Sequence, residues 1–319
     1  MKKSHLLFTG KILLTLFLFW LIIKQIEGKN LLQYLDAVNF YYFGLTILLA
    51  LMTNIFHIIR WKILLQAKNP TTPSWLKLLK YHFFGLFIQL FLPSTLSGDL
   101  VKAYRLSKST DNKLESFSTV MFARLMGLIL YIVMGILIVI LYPGTIRILP
   151  FYLILCTLGI YTAMTVMLVL IFMPSWSKSI SHRLEFRLWK KGWETIHGMQ
   201  QSFLEYRHHR SSIIQSLIIT FLIYLSMILV TITTFRSFGI TLPFSLVFAY
   251  TPIIYIIQLI PITPNGTGIR EWSMLLFYQS AGITSESIIM YAIVGYGSIV
   301  LVNLLGGLTI IYDAVARKN

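Results

Sequence analysis

Apolar positions along this chain fall in long unbroken runs, not in the short alternating patterns of soluble strands and helices. Residues 12–23 read ILLTLFLFWLII and residues 128–142 read LILYIVMGILIVILY. Runs approaching twenty residues match a hydrocarbon core of about 30 Å at a helical rise of about 1.5 Å per residue. Eight such segments can be marked, roughly at 9–25, 38–59, 76–93, 116–142, 149–173, 211–235, 244–262 and 287–312. The pattern predicts an all-α polytopic membrane protein, with residues 1–319 as a single transmembrane domain. Met1-Lys2-Lys3 followed by an apolar run resembles a signal peptide. That run ends in Lys24-Gln25-Ile26-Glu27 with no small-residue cleavage site, so an uncleaved first spanning helix is expected.

Two segments depart from the rest. Those ending at Pro93 and at Pro261/Pro264 are each followed by a Gly-containing stretch too polar for lipid and too apolar for an ordinary loop. The first reads PSTLSGDLVKAYR from Pro93 to Arg105, and the second PNGTGIREW from Pro264 to Trp272. Lys and Arg gather on the cytoplasmic side of membrane proteins, which tests whether these segments cross. If all eight cross with the N-terminus inside, the basic residues divide 12 inside to 13 outside, and no bias survives. If 76–93 and 244–262 turn back, the division is 21 to 4, with Lys24, Lys29, Arg147 and Arg236 outside and Arg124 and Arg270 at membrane depth. The expectation is therefore about six spanning helices plus two oppositely oriented re-entrant hairpins. Residues 1–143 and 149–319 then share one element order in opposite orientations, an inverted repeat of the kind many secondary transporters use. The competing reading is two Pro-ended helices that lead into ordinary loops. A multi-pass protein of a cell (inner) membrane with both termini cytoplasmic follows from the same count.

Composition supports the membrane assignment and removes a competing class. Hydrophobic residues make up 56% of the chain and charged residues 12%, against roughly 25% charged in soluble domains. The net charge of +16 would suggest nucleic acid in a soluble chain. Here it is accounted for by orientation, and no nucleic-acid signature accompanies it. Cys156 lies alone in an apolar run, so no disulfide framework is expected. Within 174–210, Ile180, Leu184, Leu188, Trp189, Trp193, Ile196 and Phe203 recur at helical spacing among Arg183, Arg187, Lys190 and Lys191. This predicts a basic amphipathic helix on the anionic cytoplasmic leaflet, serving as an anchor. A weaker version occupies 27–37.

Charges at bilayer depth cost several kcal/mol unless paired or hydrated, so they are functional candidates. They are Asp99, Lys102 and Arg105 in the first hairpin, Arg124 in the following span, and Arg270 and Glu271 in the second hairpin. If short helices begin after Pro93 and Pro264, their free N–H groups carry positive potential. Two such ends with Arg124, Arg270 and Lys102 nearby would cradle a phosphate. Asp99 and Glu271 would hold the arginines or carry a proton. Ser94, Gly98, Asn265, Gly266 and Gly268 complete the candidate substrate-binding set. The alternative is that these charges only pair with one another and fix the hairpins. His57 and His82 read as structural, His208-His209 as solvated, and Gly306-Gly307 with Gly295 and Gly297 as close-packing positions. No Walker A loop, HExxH, GxSxG or acidic metal cluster is present. No cofactor, metal or catalytic residue is expected.

The stretches PSTLSGDLVKAYRL and PNGTGIREW, with Gly306-Gly307, resemble the lysylphosphatidylglycerol synthase transmembrane family, the flippase-like integral membrane proteins. The most specific part is Gly266-Thr267-Gly268-Ile269-Arg270-Glu271; at the first motif, members often show a second glycine where this chain has Ser97. The resemblance covers essentially the whole chain and implies a lipid-handling membrane module, in the best-known members one that moves an aminoacylated phospholipid between leaflets. The best-known members add a soluble aminoacyl-transferase domain, and some relatives a glycosyltransferase. The chain reaches Asn319 soon after its last apolar run, so neither is expected here and the lipid is left open. The leading expectation is a translocator or binding module for a phospholipid, a polyprenyl phosphate or another anionic lipid. A membrane enzyme modifying a lipid head group and a scaffold for a partner synthase or glycosyltransferase are the alternatives. A homo-oligomer or a partner lipid-modifying enzyme is compatible with each.

Overall fold

A computed structural model describes residues 38–69, 72–92, 96–110, 112–173, 187–259, 266 and 268–316. The expected first span, the 27–37 stretch, the start of the amphipathic segment, and the candidates Ser94 and Asn265 lie outside these residues. The described residues form helices: α1 (Phe40–Lys68), α2 (Trp75–Gln89), α3 (Ser97–Thr110), α4 (Lys113–Leu141), α5 (Pro143–Arg147), α6 (Phe151–Phe172), α7 (Arg187–Glu205), α8 (Arg210–Ser237), α9 (Phe244–Gln258), α10 (Ile269–Gln279) and α11 (Ser285–Ala316). Five are long and apolar enough to cross a membrane: α1, α4, α6, α8, and α11 over Ser285–Thr309. By contrast α2 and α9 have 15 residues each, about 22 Å of helix and short of the hydrocarbon core. With α3 and α10 they pack as two helical hairpins.

Helix α1 starts at Asn39, whose Oδ1 accepts the N–H of Tyr41 at 3.0 Å, satisfying one orphan donor of the first turn. It then runs beyond the apolar segment expected at 38–59, because Trp61, Leu64 and Leu65 keep its inner face buried. Arg60, counted from the sequence among the basic residues of an inner loop, is corrected by this extension. It is a buried residue of α1, 6% exposed. Average hydropathy falls at Arg60 and Lys62 although the packed face continues, so the sequence boundary came too early. Helix α4 is capped in the same way by Asn112, whose Oδ1 accepts the N–H of Glu115 at 3.0 Å.

The centre of the bundle is the antiparallel pair α1 and α8. At one end the N–H of Asn39 donates to the carbonyl of Ser237 at 2.6 Å. Along the seam Thr46 donates to Thr233 at 2.9 Å, Thr53 to Ser226 at 2.8 Å and Arg60 to Thr220 at 3.2 Å. Apolar burial gives little drive between helices in lipid, so interhelical hydrogen bonds and close packing hold such pairs.

The hairpins insert around this pair from opposite ends. At one end α7 closes over the C-terminus of α1 and the starts of α4 and α8. Lys68 Nζ donates to the Ser202 carbonyl at 2.6 Å and pairs with Glu205 at 2.7 Å. The Tyr206 hydroxyl donates to the Leu64 carbonyl at 3.1 Å. The α2–α3 hairpin starts and finishes at this end, between α1 and α4. The α9–α10 hairpin starts and finishes at the other, where Phe235 of α8 stacks on Tyr291 of α11 with centroids 5.0 Å apart. Both hairpins contact both α4 and α11. On α11, Gly306 lies against the backbone of Phe83, where a Cβ would have no room. Gly295 and Gly297 are not such positions: a Cβ at Gly295 would meet neighbours at ordinary distance and one at Gly297 would meet open space. Helix α6 lies outermost, with Leu153 its one buried residue.

Candidate functional site

The first hairpin is drawn tight by two glycines. A Cβ at Gly85 of α2 would lie 2.6 Å from the Gly98 carbonyl oxygen, and a Cβ at Gly98 would collide with the Gln89 carboxamide. This contact sets Asp99, in the first turn of α3, against α4. Its Oδ2 accepts Arg124 Nη1 at 2.6 Å and its Oδ1 pairs with Lys102 Nζ at 2.6 Å. The Lys102 ammonium also sits 5.5 Å from the centroid of the Trp61 ring, a favourable cation–π position. From α1, Arg60 places Nη2 3.1 Å from His57 Nδ1, while its Nε is buried without a partner. Among the described residues no carboxylate pairs with Arg60.

His57, Arg60, Asp99, Lys102 and Arg124 line one cavity of about 250 Å³, together with Gln89, Tyr131, Tyr255 and Gln258. Among the described residues of its lining, Arg60, Lys102 and Arg124 face one carboxylate, Asp99. Taking charge out of water costs several kcal/mol per ion unless a partner repays it. Among the described lining residues positive charges outnumber negative ones by two, a balance that an anion can offset.

The second hairpin is closed on itself. Gly268, at φ +89°, precedes α10. Glu271 Oε2 accepts its N–H at 2.6 Å, satisfying an orphan donor of the helix start. The other carboxylate oxygen accepts Arg270 Nε at 2.8 Å and Nη2 at 2.5 Å. Glu271 is 1% exposed. Arg270 also lies over the Tyr291 ring and lines a second cavity of about 170 Å³ with Asn54, Tyr296 and Asn303. Gln89 and Gln258 line both cavities, so the two polar spaces meet at this pair.

Of the sequence candidates, Asp99, Lys102 and Arg124 come together in the larger cavity and Gly98 buttresses them. Arg270 faces the smaller cavity. Glu271 and Gly268 lie behind it, and Gly266, at φ +70°, packs on Gln258. Arg105 stacks over Phe84 with its guanidinium 4.0 Å from the ring centroid and does not line the larger cavity. Residues not singled out from the sequence also contribute. Arg60 follows Thr46 and Thr53 at successive intervals of seven, a polar stripe on one helix face that the sequence does carry. Gln89 and Gln258 occupy a repeated pattern, Ile88-Gln89-Leu90 before Pro93 and Ile257-Gln258-Leu259 before Pro261. His57, read as structural, lines the larger cavity, whereas His82 bonds Asn54 at 2.9 Å behind it. Among the described residues no three His, Cys, Asp or Glu side chains gather as a metal-ligating group.

Two short-helix hairpins closing charged cavities inside a bundle of membrane-length helices define a multi-pass helical membrane protein with an interior polar site. The lysylphosphatidylglycerol synthase TM region family matches residues 8–307, and the chain belongs to that family. No match was found among curated proteins or among solved structures.

Proposed function

We propose that this chain moves a phosphate-bearing lipid between leaflets, its head group held in the cavity formed by Arg60, Lys102 and Arg124. In this reading α2–α3 and α9–α10 are re-entrant hairpins of an inverted repeat, entering from the cytoplasmic and the opposite side. The end carrying α7 faces the cytoplasm, in keeping with the basic residues gathered there. The observation that carries the proposal is the excess of two positive charges among the described residues of the larger cavity. A phosphate supplies the missing negative charge and accepts several charge-assisted hydrogen bonds at once. A phospholipid and a polyprenyl phosphate both present that group, and the family's description concerns a phospholipid.

The test is a flipping assay with purified protein in phosphatidylcholine vesicles carrying fluorescent phosphatidylglycerol, read by bleaching of the outer leaflet. A hydrogen bond to a charged group is worth about 1.5–3 kcal/mol, so Arg124→Ala and Arg60→Ala should each slow flipping by roughly ten- to a hundredfold. Wild-type rates in both variants would overturn the site. Flipping by the purified chain alone separates this function from a scaffold role.

A further inference from the structure

Beside the charged cavity lies an apolar cleft of about 540 Å³ between α4, α6 and α7. Arg124, Leu128 and Leu259 line both spaces. The arginine thus stands where a polar chamber opens into a hydrocarbon-lined one, a junction with the polarity profile of a single amphiphile. Met121, Met164, Met167 and Met199 supply much of the lining. Methionine is unbranched, flexible and polarizable, so a wall of it adapts to chains of differing shape. Helix α7 is fastened as part of this wall: Gln200 Nε2 donates to the carbonyls of Ile171 and Met173 at 2.8 and 2.9 Å, capping the C-terminus of α6.

We infer that this cleft is the acyl-chain site of the same amphiphile, taking the proximal methylenes of an anionic phospholipid, one with no cation in its head group, whose phosphate lies at Arg124. The inference rests on the head-group reading and adds the rest of the ligand to it. The cleft runs from Met121 to Leu128 on α4 and from Met164 to Ile171 on α6, about 10 Å along each helix. That length holds the upper part of an unbranched chain and leaves the remainder in the bilayer. Selection then falls to the charged cavity, and the methionine wall tolerates variation in the chain. It also gives α7 a task beyond anchoring, since its Met199 and Phe203 form one side of the slot.

The test uses phosphatidylglycerol and phosphatidylcholine, each with a photoreactive group in the head-group-proximal third of an acyl chain, in vesicles of phosphatidylcholine containing the full chain. Labelling of α4, α6 and α7 at the cleft should be at least fivefold stronger with the phosphatidylglycerol probe. It should fall to the phosphatidylcholine level in Arg124→Ala. Equal labelling by both probes in the wild type would mean ordinary bilayer lipid and overturn the inference. Stronger protection by added polyprenyl phosphate than by added phosphatidylglycerol would overturn the acyl-chain assignment. A second variant guards against misfolding. Met164→Trp with Met199→Trp should weaken phosphatidylglycerol binding about tenfold while weakening glycerol 3-phosphate binding far less; equal losses for both ligands would overturn the cleft. Ile218→Trp, on an exposed face of α8, controls for bulk added elsewhere. If wild-type protein discriminates for neither the glycerol 3-phosphate nor the phosphatidylglycerol head group, the head-group reading itself fails. Head-group discrimination with labelling elsewhere removes only the cleft.

Discussion

The two hairpins share a plan and differ in charge. Each has a first helix of 15 residues ending in glutamine, then proline, then a second helix with a glycine at or just before its start and an acid in its first turn. In the first, Asp99 is shared between a lysine of its own helix and an arginine of α4, and its side chain remains 22% exposed beside a cavity with cations to spare. In the second, Glu271 is consumed locally by Arg270 and by the backbone of Gly268, with 1% exposed. A sequence comparison treats both acids as equivalent members of one phosphate cradle. The geometry separates an open, cationic half from a closed, neutral one. Hairpins of like plan place charges at matching positions along the chain, while the partners of those charges decide whether they bind or brace.

The largest effect is expected where the charge is most enclosed. Glu271→Ala leaves the Arg270 guanidinium buried without its carboxylate and removes the acceptor of the Gly268 N–H. Breaking a buried pair from one side costs about 3–5 kcal/mol, so folded yield and thermal stability in detergent should drop sharply. Inorganic phosphate should not restore them. Replacing the pair together, Arg270→Met with Glu271→Gln, should recover most of the stability; a double variant as unstable as Glu271→Ala would break the contrast.

Asp99→Asn is the matching change in the open half, with a smaller cost. Arg60, Lys102 and Arg124 then share a cavity without a carboxylate, at about 1–3 kcal/mol. Unlike the closed pair, this loss should be repaired by ligand, because an anion entering the cavity replaces the missing charge. Millimolar phosphate should raise the melting temperature of Asp99→Asn more than that of the wild type, through binding to the folded state alone. Equal phosphate shifts in both proteins would show that the anion does not enter beside Asp99.

What the sequence made legible follows from the kind of signal each feature leaves. The short helices around Pro93 and Pro261 were marked locally by proline and glycine, and across the whole chain by the division of basic residues. The family was marked by Gly266-Thr267-Gly268-Ile269-Arg270-Glu271. Arg60 was lost because an averaged hydropathy reads an arginine at a helix end as a loop charge. Its burial depends on α8, 160 positions away, offering Thr220. The division of the candidate charges between two cavities was equally hidden. Arg270 turns to its sequence neighbour Glu271 and lies over Tyr291, a side-chain orientation that no local sequence pattern fixes. The seven-residue stripe of Thr46, Thr53 and Arg60 shows that part of the missing information was present as periodicity rather than as hydropathy.

The glycines give a test that reaches only backbone shape. Gly266 has φ +70°, where a side chain costs about 1–2 kcal/mol, and its Cβ would also press on Gln258. Gly266→Ala should therefore lower stability by that order, and Gln258→Ala in the same chain should relieve the steric part. Gly98 has no positive φ, and its obstacles are the movable Gln89 carboxamide and, at 3.0 Å, the Gly85 carbonyl. Its alanine variant should be the milder of the two in thermal unfolding; the reverse order would mean that the first hairpin is the more rigid.

The smallest effect is expected at the glutamine on which the two cavities meet. Gln258 has a carboxamide oxygen that is buried without a hydrogen-bond partner, and an unmet acceptor costs about 1–3 kcal/mol of desolvation. Methionine keeps the unbranched stem that packs on Gly266 and discards that oxygen, so the lost carboxamide contacts and the removed penalty oppose each other. Gln258→Met should then change stability by less than about 0.5 kcal/mol, within the range of a neutral substitution. Flipping is the sharper readout, because a polar head group passing between the cavities would meet a thioether where it had met an amide. Unchanged stability with flipping slowed severalfold would place the glutamine on the path between the halves; unchanged values of both would confine the lipid to the Asp99 side.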